Sequence, residues 1–374
     1  MVLRTLLSSL IIFALSHGSL LAERITIGLY HGFRFESFVF SAVEGEFIME
    51  GDGSKVAVVA TGSMFHIDLT GSGFAVRDTN QSYGVFSSLE FRGMSSTNIF
   101  QVRPVFPFNK PKESTGDLAV TIVDEGIRLV NSLDLEEYVA GTVESEGGFN
   151  ALPEYYKAQA VIARTFAIKN FHRHAHEGFN LCDGVHCQAY KGKSRMNRQI
   201  YEAVLKTRNE ILVNQAEEPV VTAYHANCGG ITGSPAIEWN RELPYLVPVK
   251  DPFCDRSAHR NWSKVLTEND WKTYLEKKSP GGCDGVYSDG DTGRQKYLDR
   301  VSKKIPMKNV REDLGLKSSF FWVEEGNGNV IIHGHGYGHG LGLCQEGAME
   351  MARMGYTYVD ILMFYFSNLK LKKE

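Results

Sequence analysis

The carboxyl groups best placed for chemistry lie in Glu144-Ser145-Glu146-Gly147-Gly148. Glycines beside an acid leave room for a bulky substrate. Partial removal from water raises a carboxyl pKa toward neutrality, where the group can act as a general acid. The same residues also read as a solvated turn. A second group comprises His172, His174 and His176, followed by Cys182, His186 and Cys187. Imidazoles and thiolates at this density suit tetrahedral zinc, and His176, nearest in sequence to Cys182, is the histidine expected to join Cys182, His186 and Cys187. Four protein ligands close the shell and leave no position for water, so the site would be structural. The alternative is a Cys182–Cys187 disulfide with solvent-facing histidines. A third segment, His333-Gly334-His335-Gly336-Tyr337-Gly338-His339-Gly340-Leu341-Gly342, lets backbone and imidazole approach a ligand closely. It lacks the Gly-Lys-Ser/Thr ending of a phosphate loop and the βαβ setting of a dinucleotide fingerprint; a tight strand-to-helix connection is the competing reading. In Tyr224–Thr232, His225 and Cys228 are near enough to suggest a thiol nucleophile, but sequence neighbours rarely form a catalytic pair.

Positioning these groups calls for both helices and strands. Arg24–Tyr30, Lys55–Ala60, Met64–Leu69 and Leu118–Val123 are β-branched or alternating and read as strands. Pro104, Pro107 and Pro111 mark a loop after this β-rich region. Asp134, with Glu137 three residues on, starts a helix. Glu144–Asn150 is expected as a loop because of its glycine pair. Pro153 opens a second helix to about Phe171, with Tyr156, Ala160, Ala163 and Ala167 as its buried stripe. Further helices are expected over Arg198–Thr207, 264–278, Gln345–Arg353 and from Val359, and further strands over Ile211–Val213, Val220–Tyr224 and Val330–His333. Without a regular alternation of the two, the fold class is α+β. The expected division is a signal segment 1–22, a β-rich region 23–112 and a catalytic domain 113–374.

The chain has 374 residues, 40 Lys+Arg against 44 Asp+Glu, and 43% hydrophobic residues. This composition excludes disordered and collagen-like proteins, and a formal charge of −4 argues against a nucleic-acid partner. Arg4 followed by the apolar run Leu6–Leu15 and the small residue Ala22 reads as an export signal, with an uncleaved membrane anchor as the alternative. His17 and Gly18 interrupt the run and disfavour spanning. Export permits disulfides among the six cysteines, whose pairing spacing alone does not give.

Taken together, four blocks resemble the stage II sporulation protein D family, also called the SpoIID/LytB or amidase-enhancer family. They are Leu133–Gly141; Lys157-Ala158-Gln159-Ala160 with Ala163-Arg164-Thr165; Cys228-Gly229-Gly230 with Pro244-Tyr245-Leu246; and Gly336–Gly342 continuing into Gln345 and Gly347-Ala348. Leu314–Ser318 fits a further block, and the resemblance spans roughly residues 115–368. It implies a lytic transglycosylase that cuts peptidoglycan glycan strands stripped of stem peptides by a partner N-acetylmuramoyl-L-alanine amidase, leaving 1,6-anhydro ends. It implies Glu146 as the catalytic carboxylate, although Gly147-Gly148 replaces the family's Met-Pro pair and Glu144 stands where a small residue is usual. It favours zinc over the disulfide at the His/Cys cluster and implies no organic cofactor. Lys157 and Arg164, seven apart and so on one helix face, are expected to line the glycan groove, with Tyr224, Tyr337 and His339 as further sugar contacts. The competing functions are a non-catalytic wall-binding enhancer of an amidase and a zinc hydrolase, the latter disfavoured by the closed ligand shell.

Overall fold

The computed structural model describes residues 24–373 apart from 125, 149, 194–197, 282–292 and 299–302. The expected signal segment 1–22 and Cys283 lie outside the described residues. The fold is α+β. The N-terminal β region is two sheets packed face to face. One has seven strands, in the order Leu181–Cys182, Arg24–Leu29, Gly126–Asp134, Asp117–Val123, Leu89–Gly93, Phe47–Gly51 and Ser54–Val59. The other has six, in the order Lys112–Thr115, Ile99–Phe106, Ser37–Glu44, Met64–Thr70, Gly73–Arg77 and Ser82–Phe86. Alternation explains the arrangement: in Gly126–Asp134 every second side chain is buried and its neighbours face outward. Phe40 and Phe100 of the six-stranded sheet meet Phe91 and Phe47 of the other, with the Phe40 and Phe91 rings stacked at 3.9 Å. The strands continue past the 112/113 boundary expected from the sequence, because Asp117–Val123 and Gly126–Asp134 complete the sheet that Arg24–Leu29 begins.

Helix α1 (Leu135–Gly147) leaves this sheet directly. The Asp134 carboxylate accepts from the backbone N–H groups of Glu136 (2.7 Å) and Glu137 (3.4 Å), satisfying donors that would otherwise be orphaned. The helix runs through Glu144-Ser145-Glu146, a correction to the loop expected there. It stops at Gly148, whose φ of 72° only glycine adopts cheaply. Helix α2 (Pro153–Lys169) buries Tyr156, Ala160, Ala163 and Ala167 as the stripe predicts. It packs against α1 and α3 (Arg198–Lys206).

Beyond a short helix α4 (Pro235–Glu238) lies a smaller unit with its own apolar cluster, including Trp271, Val310, Phe321 and Ile332. It is built from strands Asn261–Thr267, Asn329–His335 and Phe321–Gly326, with helices α5 (Glu268–Lys278) and α6 (Met307–Leu314). Residues 264–267, expected as helix, belong to the first of these strands, whose pairing with Asn329–His335 outweighs local helix preference. Thr267 then caps α5 by accepting from Asp270 N (3.1 Å). Of the expected strand Val220–Tyr224 only Tyr224 is in a strand, Tyr224–His225, paired in parallel with Leu343–Cys344. The chain ends with α7 (Gln345–Arg353), α8 (Tyr358–Tyr365) and strand Lys370–Lys373. No helix among the described residues is long and apolar enough to cross a membrane.

Candidate functional site

Glu146 sits half-buried in the last turn of α1. One carboxyl oxygen, Oε1, accepts from the backbone N–H of Ala189 (2.7 Å), and its backbone carbonyl accepts from Gln345 Nε2 (3.2 Å). Burial raises the carboxyl pKa above the usual glutamate value. The Ala189 N–H, the Tyr224 hydroxyl and the charge of Lys191 pull the other way without cancelling it. Among the described residues no Lys or Arg forms an ion pair with Glu146. The loop bearing Ala189 is fixed by the neighbouring residue: Ser145 Oγ donates to Gly141 O (2.7 Å) and accepts from Lys191 N (3.0 Å). Glu144 lies two positions earlier on the same helix, about 200° around the axis, and so points away from Glu146. Two surface depressions, one bounded by Asp134, Glu137, Arg198 and Tyr201 and the other by His31, Arg34, Arg128 and Glu177, are not lined by Glu146.

Of the residues expected to contact sugar, Tyr224 meets Glu146. Its hydroxyl reaches the carboxyl and also Gln188 Oε1 (3.4 Å), and burial raises its own pKa. His339 stands next to it, between the rings of His225 and Trp239 (5.7 Å from each). Burial pushes its pKa down to about 4, so it is neutral at physiological pH. The glycines around it serve close packing: a Cβ on Gly336 would strike Asn227 O, and one on Gly342 would strike Ala223 O. The strand-to-helix reading of this segment is therefore correct for its backbone. Tyr337 is exposed and packs on His259 (5.2 Å between ring centroids), with no described contact to Glu146.

Lys157 and Arg164 do share a face of α2, but that face packs inside the protein. Arg164 is fully buried and forms a forked ion pair with Glu136, Nε to Oε1 at 2.9 Å and Nη2 to Oε2 at 2.5 Å, while Nη1 donates to Glu210 O (3.0 Å). Lys157 pairs with Glu154 (2.5 Å) and lies over the Tyr358 ring of α8. The structure thus places both away from Glu146: the carboxylate partner and the flanking helices, invisible in the local spacing, draw them inward.

The His/Cys cluster assembles with one substitution. Ligand atoms of His174, Cys182, His186 and Cys187 lie within 4.8 Å of one another. His176 stays outside, its side chain 77% exposed and its nearest acid Glu177 at 3.7 Å. The reason is the short turn Ala175–Glu177, which returns the chain so that Glu177 Oε1 meets His174 Nδ1 (2.6 Å) and aims Nε2 at Cys187 Sγ (3.5 Å). Such a carboxylate–histidine pairing is what orients metal-bound imidazoles. Neither cysteine is in a disulfide. Two thiols and two imidazoles fit a closed tetrahedral zinc shell. Cys187 is followed by Gln188, which donates to Tyr138 Oη and Ala163 O (3.3 Å each), and by Ala189, the donor to Glu146.

Sequence reasoning missed His174, Gln188, Ala189 and Gln345. The first was present in the alternating histidine run and Gln345 in a family block without a role; Gln188 and Ala189 act through amide and backbone groups that carry no motif.

The sequence comparisons agree with this architecture. The family model described as stage II sporulation protein (SpoIID) matches residues 123–214, the segment holding α1, α2 and the His/Cys loop. Stage II sporulation protein D of Bacillus subtilis is 30% identical over 261 residues, covering 65% of this chain and 76% of the relative. An uncharacterised protein of Brachyspira hyodysenteriae is 30% identical over 281 residues, covering 73% and 76%. The amidase enhancer of Bacillus subtilis is 26% identical over 274 residues, covering 58% of this chain and 38% of that protein. The chain belongs to the stage II sporulation protein D family.

Proposed function

We propose that this protein is a cell-wall lytic transglycosylase with Glu146 as its single acid and base. The carrying observation is a half-buried carboxyl whose pKa is raised by burial, held on one oxygen by a backbone N–H and free of ion pairing among the described residues. Protonated Glu146 gives its proton to the glycosidic oxygen between N-acetylmuramic acid and N-acetylglucosamine as the C1–O bond breaks and C1 gains oxocarbenium character. The muramic C6 hydroxyl then attacks C1, forming the 1,6-anhydro bond, and its proton passes to the Glu146 carboxylate. The acid is regenerated, water is not consumed and no second carboxylate is needed. Proton transfer of this kind contributes about 10²–10⁴-fold, so glycan binding and distortion supply the rest. Tyr224 and His339 are the residues proposed to meet the sugar on the opposite wall.

His174, Cys182, His186 and Cys187 are proposed to hold a structural zinc. It would fix the loop that aims Ala189 at Glu146, and no step of the reaction runs through it. The N-terminal apolar run supports an extracytoplasmic location, and the amidase-enhancer relative supports an amidase partner that prepares stem-free strands.

Incubating the protein with stem-free glycan strands and weighing the products by mass spectrometry tests the reading. Anhydro-ended fragments are expected, and Glu146→Gln should abolish them while strands still bind. Reducing ends would indicate hydrolysis. Absence of cleavage with stimulation of an amidase would establish the enhancer reading instead, and full cleavage by Glu146→Gln would remove the mechanism.

A further inference from the structure

Three cysteines and an aspartate outside the His/Cys loop converge in the interior. Cys228, Asp251, Cys254 and Cys344 are each no more than 1% exposed, and their ligand atoms lie within 4.8 Å of one another. Cys228 Sγ is 3.4 Å from Cys254 Sγ and 3.2 Å from Asp251 Oδ2. Around one tetrahedral ion with metal–sulfur bonds of about 2.3 Å and a metal–oxygen bond of about 2.0 Å, such separations are roughly 3.8 and 3.5 Å. Both observed separations are a few tenths of an ångström shorter, so small adjustments of side chains already in place suffice.

The sulfur and carboxylate atoms are held in place by neighbouring groups. Cys344 Sγ accepts from two backbone N–H groups, Cys228 N (3.3 Å) and Gly347 N (3.4 Å), the latter in the first turn of α7. The Asp251 carboxylate is oriented from outside, Oδ2 by the Tyr365 hydroxyl (2.9 Å) and Oδ1 by Phe253 N (2.9 Å), as supporting groups orient metal-bound carboxylates. A Cβ on Gly347 would collide with both Asp251 and Tyr365, so α7 reaches this position only with glycine there. The buried guanidinium nearby, Arg294, is directed at Cys228 O (2.8 Å) and Glu238 (3.6 Å), not at the sulfurs. Pairing within this group of three thiols would leave one of them over.

We propose that Cys228, Asp251, Cys254 and Cys344 bind a second structural divalent ion of thiophilic character, zinc being the expected one. The ion would tie together three segments distant in sequence that already meet through hydrogen bonds, Asn227 Nδ2 donating to Cys254 O (3.2 Å) and to Glu346 Oε2 (2.6 Å). Cys228 follows Tyr224 by four residues, Cys344 immediately precedes Gln345, and both Tyr224 and Gln345 touch Glu146. The two metal centres would thus brace the two sides of one carboxyl group. The inference stands apart from the transglycosylase reading, since its readout is bound metal and not cleavage.

The test uses the full chain, reconstituted with zinc chloride, desalted and analysed for metal. Cys182→Ala/Cys187→Ala should retain the second ion, whereas Cys254→Ala and Cys344→Ser should each lose one metal equivalent per chain. Circular dichroism checks that the variants fold. Where they do not, differential alkylation of the wild type decides: Cys228, Cys254 and Cys344 should be protected until a chelator is added. Equal labelling with and without chelator, retention of all metal by both single variants, or a non-reducing peptide map with any of the three in a disulfide would overturn the proposal.

Discussion

At Glu146 the raised pKa results from a contest between burial, which disfavours the carboxylate, and two hydrogen bonds that favour it. The Tyr224 hydroxyl is the adjustable contributor. Tyr224→Phe removes it while keeping the ring, so the Glu146 pKa should rise further. Because the first step of the proposed reaction needs the protonated acid, the alkaline limb of the pH–kcat/KM profile should move to higher pH in this variant. An unmoved limb with a lowered rate would assign Tyr224 to sugar binding alone. The sequence singled out Glu146 by the glycines beside it and by the family resemblance, but not its setting in the last turn of a helix. Nor was it legible which histidine enters the neighbouring cluster. His174 and His176 are equivalent in spacing, and the choice is made by Glu177 Oε1 at 2.6 Å from His174 and by Cys187 thirteen residues on.

At the level of elements, α1 and α2 are held by an ion pair that the spacing of α2 could not disclose. Arg164 looked like groove chemistry because helix periodicity gives a face but not what covers it. Glu136, on the buried side of α1, covers it. Arg164→Met leaves the Glu136 carboxylate buried and alone, and should cost about 3–5 kcal/mol in urea unfolding. Arg164→Met/Glu136→Leu should recover most of that loss, since replacing both partners removes the stranded charge. Equal losses in both variants would mean that Arg164 acts mainly through its bonds to the Glu210 and Val204 carbonyls. The boundaries of α1 and α7 show the same division. The Asp134 cap and the start at Gln345 are local signals and were readable, whereas the extension of α1 through Gly147 depends on Tyr155, against which a Cβ there would press (3.2 Å). The parallel pairing of Tyr224–His225 with Leu343–Cys344 has no local signature at all.

Across the whole molecule, two imidazoles are held in the neutral form. His339 is pushed down to about 4 and His225 well below its ordinary 6.5, in both cases chiefly by burial. The unfolded chain therefore binds more protons than the folded one as pH falls from about 6.5 toward 4, and folding stability should decline over that window while staying level above it. Glu146 and Glu238, raised by burial, act in the opposite sense at the acidic end. The imidazole contribution is thus read as the difference between wild type and His339→Gln in urea midpoints. A difference that does not change between pH 4 and 7 would contradict the burial of that ring.

The pairing of Gln345 with the Glu146 carbonyl spans 199 residues of chain. During translation Glu146 is therefore made long before the segment that holds its carbonyl. On the proposed reading, a product that stops short of Gln345 would carry the acid without the side chain that grips its carbonyl.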